Sequence, residues 1–317
     1  MYAIGIDIGG TSIKWGLIDV EGNVLFTDKI VTIKHEPAKK TIERLSNALN
    51  SFLSEHKIPK DLIKGIGVGC PGTVNAKEGI VAYSVNLEWE NFPLEKELKN
   101  AMGIDVQIGN DANVAALGEV RFGFKAKYST AIMLTLGTGV GGGVIIDNQI
   151  YDGIDGAGAE LGHIVINYDG DVTCSCGRRG CLEAYASATG LIRQTKEAMQ
   201  RHKDSALWKY AGGNLTGVDG RTAFAAFEET NDDAAKEVIL NYVKYLSEGI
   251  MNLNNIFRPE VFILSGGIAK EGEKLIKLVK EYCKKFDYGY KNSPVPEITT
   301  SKLGYQSGIV GAAALIL

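Results

Sequence analysis

The stretch Ala3-Ile4-Gly5-Ile6-Asp7-Ile8-Gly9-Gly10-Thr11-Ser12-Ile13-Lys14-Trp15-Gly16-Leu17-Ile18-Asp19 decides how the rest of the chain is read. An apolar run over 3–8 stops at Gly9-Gly10-Thr11, and a second run follows over 13–19. The turn Glu21-Gly22-Asn23 then leads into a third over 24–32. Short runs punctuated by Gly and Asn predict three strands joined as hairpins. The pattern restarts over 129–136, which predicts a strand ending at Gly137-Thr138-Gly139 with a return strand over 144–147. Displaced by 128 positions, Gly9 falls on Gly137, Leu17 on Ile145, Ile18 on Ile146 and Asp19 on Asp147. Such a repeat predicts a duplicated α/β unit, which also accounts for 317 residues, more than one ordinary core.

Working outward, residues 38–56 carry helical spacing, with Ile42, Leu45, Leu49, Phe52 and Leu53 on one face. A buried strand is expected over 65–69, ended by Pro71-Gly72, and a helix over 94–102. The strand at 106–108 hands over through Gly109-Asn110-Asp111 to a helix over 112–122. Farther on, helices are expected over 182–201, 231–257 and 270–285. A strand over 260–264 runs into Ser265-Gly266-Gly267, Pro294 and Pro296 mark a loop, and a last strand near Ile298 precedes a buried C-terminal helix. No long linker separates the halves, so the domains are expected to join tightly around a ligand-binding cleft.

Charge and termini narrow the function. A net charge of −4 without a run of Lys and Arg speaks against a nucleic-acid surface. The N-terminus meets Asp7 with no basic segment before it, unlike a signal peptide. The longest apolar stretch, 308–317, is too short to span a bilayer. A cytoplasmic protein with neither nucleic acid nor membrane as partner is expected.

Three Gly-rich turns follow strands: Asp7-Ile8-Gly9-Gly10-Thr11, Gly137-Thr138-Gly139-Val140-Gly141-Gly142-Gly143 and Ser265-Gly266-Gly267. Without Cβ, the backbone can approach a phosphate and aim its N–H groups at it, and Thr11 and Thr138 add hydroxyls. Lys14 adds a positive charge. Neither a Walker A sequence nor the Rossmann pattern fits, so two related hairpins gripping one nucleotide is the reading. Asn110 and Asp111 stand where a strand becomes a helix. The simpler role there is a helix cap. The alternative is a carboxylate, kept ionised by the helix N-terminus, that accepts the proton of an attacking hydroxyl.

Five cysteines do not form a disulfide framework, and three of them crowd into 174–181. His163, Cys174, Cys176 and Cys181 offer one imidazole and three thiolates, a closed tetrahedral set for structural zinc. Gly177 and Gly180 permit the tight reversal. Cys70 and Cys283 are expected to be buried and inert. Glu160 and Glu183 flank the cluster, and a metal-tied loop would hold both as rigid acceptors for sugar hydroxyls.

Together these segments resemble the ROK family of bacterial sugar kinases and repressors. The matching pieces are Asp7-Ile8-Gly9-Gly10-Thr11, Asn110-Asp111-Ala112-Asn113, Leu136-Gly137-Thr138-Gly139-Val140-Gly141-Gly142-Gly143, Glu160-Leu161-Gly162-His163 and Cys174-Ser175-Cys176-Gly177-Arg178-Arg179-Gly180-Cys181-Leu182-Glu183, with Ser265-Gly266-Gly267 beyond them. The resemblance implies an α/β, two-domain actin/hexokinase-like (ribonuclease H-like) ATPase fold with an interdomain cleft. The small α/β domain is expected over 1–120 plus the helix at 305–317, and the large one, with the zinc loop inserted, over 121–304. It implies Asp111 as catalytic base and Gly72, Asn110, Asp111, Glu160, His163 and Glu183 as sugar contacts. It places structural Zn2+ on His163, Cys174, Cys176 and Cys181, with the second ring nitrogen of His163 toward the sugar. Asp7 is implied near Mg2+, and Gly9, Gly10, Thr11, Lys14, Gly137, Thr138 and Gly139 at ATP, with Gly266 and Gly267 bordering the adenosine. A homodimer is also implied. Asn86-Leu87-Glu88-Trp89-Glu90-Asn91-Phe92-Pro93-Leu94 looks like the glucokinase form of its loop, with fructose, mannose, allose, N-acetylglucosamine and N-acetylmannosamine as alternative acceptors.

Two other functions compete. A sugar-sensing repressor of the same family would carry a helix-turn-helix ahead of the first strand, and the strand expected at Tyr2 leaves no room for one. A zinc-ribbon binding module would need a basic surface that this loop lacks. Residues 203–230 offer no motif.

Overall fold

A computed structural model of the chain describes residues 1–288 and 296–317, so Pro294 of the expected loop lies outside the described residues. The chain clusters into two compact units. One comprises 1–131, 143–159 and 301–317, and the other 132–142 and 160–300.

In the first unit, β1 (Tyr2–Ile8), β2 (Ser12–Asp19) and β3 (Val24–Val31) form the expected antiparallel run. Next come α1 (Ala38–Glu55), β4 (Ile63–Cys70), a small three-stranded sheet of β5 (Thr73–Asn75), β6 (Ile80–Ser84) and β7 (Trp89–Phe92), then α2 (Leu94–Met102) and β8 (Val106–Asn110). The five-stranded sheet has the order β3-β2-β1-β4-β8. Burying the apolar face of α1 drives its docking: Ile42, Leu45, Leu49, Phe52 and Leu53 are all buried, and the Phe52 ring meets the Trp15 edge at 6.1 Å.

The helix expected over 112–122 begins one residue earlier, as α3 (Asp111–Gly118), and ends in a π-turn over Glu119–Gly123. Glu119 explains the change. It is fully buried and accepts from Ser301 Oγ and from the N–H groups of Lys302 and Leu303, so the turn widens to deliver it there.

The second sheet repeats the first. β9 (Ala131–Leu136), β10 (Val140–Ile146), β11 (Gln149–Ile150), β12 (Val261–Ser265) and β13 (Glu297–Thr300) lie in the order β11-β10-β9-β12-β13. Each sheet thus has a three-strand meander followed by two strands, and the outer pair β12–β13 is parallel as β4–β8 is. The return strand starts at Val140, inside the glycine run, four residues before the position read from hydropathy alone.

Two helices expected to be continuous are interrupted. Residues 182–201 form α4 (Leu182–Ala186) and α5 (Ala188–Arg201), because Ser187 turns extended and its hydroxyl caps Gly190 N–H at 3.0 Å. The following segment carries α6 (Leu207–Tyr210) and α7 (Thr222–Thr230), and α8 (Asp233–Phe257) matches its periodicity. Residues 270–285 divide at Gly272, whose φ of 60° ends a 3-10 turn before α9 (Glu273–Phe286). Helix α10 (Ser307–Ala314) closes the chain, buried as expected.

Candidate functional site

In the first unit the strand registers converge on one edge. Antiparallel pairing sets Asp7 opposite Lys14, parallel pairing sets Asp7 beside Gly69, and β4 against β8 sets Cys70 beside Asn110. Asp7, Cys70 and Asn110 thus stand at or near the carboxyl ends of β1, β4 and β8. In open α/β sheets that is the edge where ligands bind.

Asn110, not Asp111, is the helix cap. Its Oδ1 accepts from the N–H groups of Ala112 and Asn113 at 3.0 and 3.2 Å, and its Nδ2 donates to Gly72 O at 3.1 Å. Asp111 is therefore released from the simpler role, although its Oδ1 takes Ala112 N–H at 2.8 Å. Gly72 has no alternative residue: its φ is 103°, and a Cβ would lie 2.2 Å from Tyr83 O.

Electrostatically, the half-buried Asp111 departs from the expectation of a helix-stabilised carboxylate. Burial pushes its pKa above 3.8, and backbone hydrogen bonding only partly opposes this. Asp7 is pushed up as well, first by burial and then by Asp111, with Lys14 pulling the other way. Cys70, buried beneath both, is held protonated by burial and by the two acids. Burial likewise lifts Cys283 to about 11, so both leftover thiols are inert.

At the first glycine turn, Gly9 N–H donates to Ser12 O at 3.0 Å. Thr32 ties the turn to the end of β3. Its hydroxyl donates to Gly9 O at 2.6 Å, and its N–H to Thr11 O at 3.0 Å. Thr32 was not singled out from the sequence, where nothing local marks a hydroxyl that bonds 23 residues back. Gly10, Thr11 and Lys14 are exposed.

In the second unit, one ligand atom each from His163, Cys174, Cys176 and Cys181 lie within 4.8 Å of one another. Zinc–sulfur bonds of 2.3 Å imply a tetrahedral S···S edge of about 3.8 Å, and a slightly shorter S···N edge. Cys176 Sγ stands 3.7 Å from Cys181 Sγ, and Cys174 Sγ 3.5 Å from His163 Nδ1. Both fit a tetrahedral Cys3His centre. His163 turns Nδ1 to the cluster and leaves Nε2 for another partner. Gly177 and Gly180 have φ of 84° and 81°, and a Cβ at Gly180 would meet Asn167 O at 2.1 Å.

Glu183 links this loop to the second glycine turn. One oxygen accepts from Ser175 Oγ and from Cys174 Sγ, and the other takes Val140 N–H at 3.0 Å. The turn itself is held by Gly137 N–H to Gly139 O at 3.0 Å, by Ala188 N–H to Gly137 O at 2.8 Å, and by Thr189 Oγ1 to Thr138 O at 2.7 Å. Glu160 is exposed and leads into the 3-10 turn bearing His163, whose N–H donates to Glu160 O at 3.0 Å. Gly266, with φ of 91°, lets β12 turn against the backbone of Leu136, and Gly267 starts the 3-10 turn beyond it.

Each unit therefore gathers its own share of the expected residues. The first collects Asp7, Gly9, Gly10, Thr11, Lys14, Gly72, Asn110 and Asp111. The second collects Gly137, Thr138, Gly139, Glu160, His163, Glu183, Gly266, Gly267 and the three cysteines. Among the described residues, no helix is long and apolar enough to cross a membrane.

Known proteins resemble the whole chain. A glucokinase of Halalkalibacterium halodurans is 34% identical, over 99% of this chain and 94% of its own. A xylose repressor of Caldicellulosiruptor bescii is 31% identical, over 99% of this chain and 77% of its own. The crystal structure of a ROK family glucokinase from Streptomyces griseus in complex with glucose and AMPPNP covers 100% of this chain and 99% of its own, at 32% identity and a TM-score of 0.79. That likeness gives the chain the two-domain actin/hexokinase-like fold. The ROK family model matches residues 3–317, and the chain belongs to the ROK family.

Proposed function

We propose that this chain is an ATP-dependent hexose kinase, transferring the γ-phosphoryl group to the 6-hydroxyl of glucose with Asp111 as general base. The observation that carries the proposal is the division of labour at the β8–α3 junction. Asn110 caps the helix, which leaves a half-buried carboxyl next to it with a pKa raised toward working pH. A base is most effective when its pKa approaches the pH at which it works, provided it remains largely ionised. In the first unit the Gly72 carbonyl, and in the second Glu160, His163 Nε2 and Glu183, offer the acceptors and donors a pyranose needs.

Asp7 and Asp111 are hard oxygen donors whose like charges leave a negative potential, a set that suits a Mg2+ ion carried with ATP. Such an ion neutralises charge on the phosphates in transfer. The glycine turns at 9–11 and 137–139, with Gly266 and Gly267, bind the nucleotide by peptide amides. The Cys3His cluster holds Zn2+ in a closed shell that organises the loop, with no open position for chemistry. A cytoplasmic homodimer completes the proposal.

The test is a coupled assay with ATP and glucose, mannose, fructose, allose, N-acetylglucosamine and N-acetylmannosamine in parallel. Turnover is expected with glucose foremost, and saturable sugar binding without turnover on any of the six would overturn the kinase reading. That outcome would favour the second reading, a sugar-sensing regulator, which the xylose repressor at 31% identity supports.

A further inference from the structure

Helix α10 is pinned to the first unit by close backbone approaches. A Cβ at Gly5 of β1 would lie 1.8 Å from Ile309 O, one at Gly67 of β4 1.7 Å from Ala312 O, and one at Gly311 2.0 Å from Val114 O in α3. Backbone atoms stand at all three places, so the helix has no slack toward the sheet or toward α3. On the same helix, Gly308 faces something different. A Cβ there would meet Asp7 Cγ and Oδ2, both at 2.8 Å. Gly308 lies within a regular helix, where alanine is the better residue, and its φ is not positive. Its bareness therefore serves the neighbour and not its own backbone.

We propose that Gly308 is a positioning residue, whose missing Cβ lets the first turn of α10 close against Asp7 and seats that carboxylate for the divalent cation. The inference deepens the kinase reading and rests on it for the cation's role. With α10 held at three points, an added methyl group at 308 drives the flexible Asp7 side chain aside and leaves the helix where it is. The displaced carboxylate then leaves the rotamer in which it lies against Gly308.

The experiment is Gly308→Ala, alone and in an Asp7→Asn background. Its crystal structure is expected to show α10 unmoved and the Asp7 carboxylate rotated, with an unfolding temperature no lower than wild type. Misplacement by an ångström costs up to about 100-fold in rate, so kcat should fall by roughly 10- to 100-fold. KM for glucose should stay within about threefold, because the sugar contacts are untouched. The magnesium concentration for half-maximal rate should rise, and Mn2+ affinity of the nucleotide-bound protein, read by electron paramagnetic resonance, should weaken. In the Asp7→Asn background the alanine should add little, since the two changes act through one side chain. A carboxylate still in place, a helix that has moved, or a rotated carboxylate with unchanged kcat and Mn2+ affinity overturns the inference. Absence of phosphotransfer by the wild-type protein sinks the kinase reading, and Gly308 is then judged by the structure and the Mn2+ affinity.

Discussion

Replacing Glu119 with glutamine tests how the chain is held as it returns to the first unit. The side chain is fully buried, yet three donors meet it: Ser301 Oγ at 2.5 Å and Leu303 N–H at 3.0 Å on Oε1, and Lys302 N–H at 2.9 Å on Oε2. Only a group that accepts at both oxygens satisfies all three, and a carboxylate does so. Glutamine keeps the shape but turns one acceptor into a donor. Either the Lys302 N–H or the pair on Oε1 then faces an N–H group. Leaving a buried donor unsatisfied costs about 1–3 kcal/mol. Alanine removes both acceptor oxygens, leaving all three donors without them, and adds a cavity. Since Lys302 is exposed and can rehydrate, its net cost is about 2–4 kcal/mol. At roughly 2–4 °C per kcal/mol, glutamine should lower the unfolding temperature by about 2–12 °C. Differential scanning calorimetry on the ligand-free protein reads this directly. A glutamine variant that unfolds within a degree of wild type refutes the clamp, because no isosteric amide can serve three donors equally well.

Asp111→Asn should abolish turnover yet raise the unfolding temperature at pH 7. Burial raises the folded-state pKa above the unfolded 3.8, so the folded chain holds that proton more tightly and loses stability as pH climbs through the raised value. The advantage of asparagine should therefore shrink as pH falls toward 3.8 in calorimetry, and a variant less stable than wild type at pH 7 would contradict it. For the same reason the wild-type rate should rise with pH as Asp111 ionises. Cys176→Ser should lose the metal, measured by atomic absorption, and weaken sugar binding with it; full sugar affinity in the metal-free variant would uncouple the loop from the sugar. Asn110→Ala removes a cap worth about 1 kcal/mol and the bond to Gly72 O, so urea unfolding should shift by that amount or more, and KM for sugar should rise.

Legibility followed the range of the interaction. The face of α1, the apolar runs of β1 and β2 and the donor spacing at 174–181 are local patterns, and the folded chain keeps them. The break at Ser187 is not local. Residues on both sides suit a helix, and the interruption is held by Ala188 N–H to Gly137 O and by Tyr242 Oη to Ala186 O, partners 51 and 56 residues away. The small sheet β5–β6–β7 escaped notice because strands of three to five residues are too short to show a clear period. At the site, Asp111 was visible as an acid at a strand–helix junction, but its separation from the capping role depended on which side chain reached the free N–H groups. The direction of its pKa was unreadable for a related reason: the helix terminus is local, whereas the burial that outweighs it comes from elements far apart in sequence.

The same geometry argues against a merely structural role for the two acids. Asp7 and Asp111 sit at the edge of a core of Ile6, Ile8, Val68 and Val114, all fully buried, and burial works against the charge of each. A residue kept for stability would be paired, as Glu119 is by three donors, or replaced by an apolar side chain of similar size. Asp7 has Lys14 across the strand, but the raised pKa shows that this partner does not offset burial and the second acid. The surrounding backbone meanwhile gives up side chains at Gly5, Gly67, Gly308 and Gly311 so that α10 can close on this edge. Removing methyl groups from a helix and two strands forgoes apolar burial at every position. That loss and the uncompensated acids point the same way. This end of the first sheet is organised around negative charge, as the proposed Mg2+ site requires, and the chain's own packing is arranged to hold that charge in place.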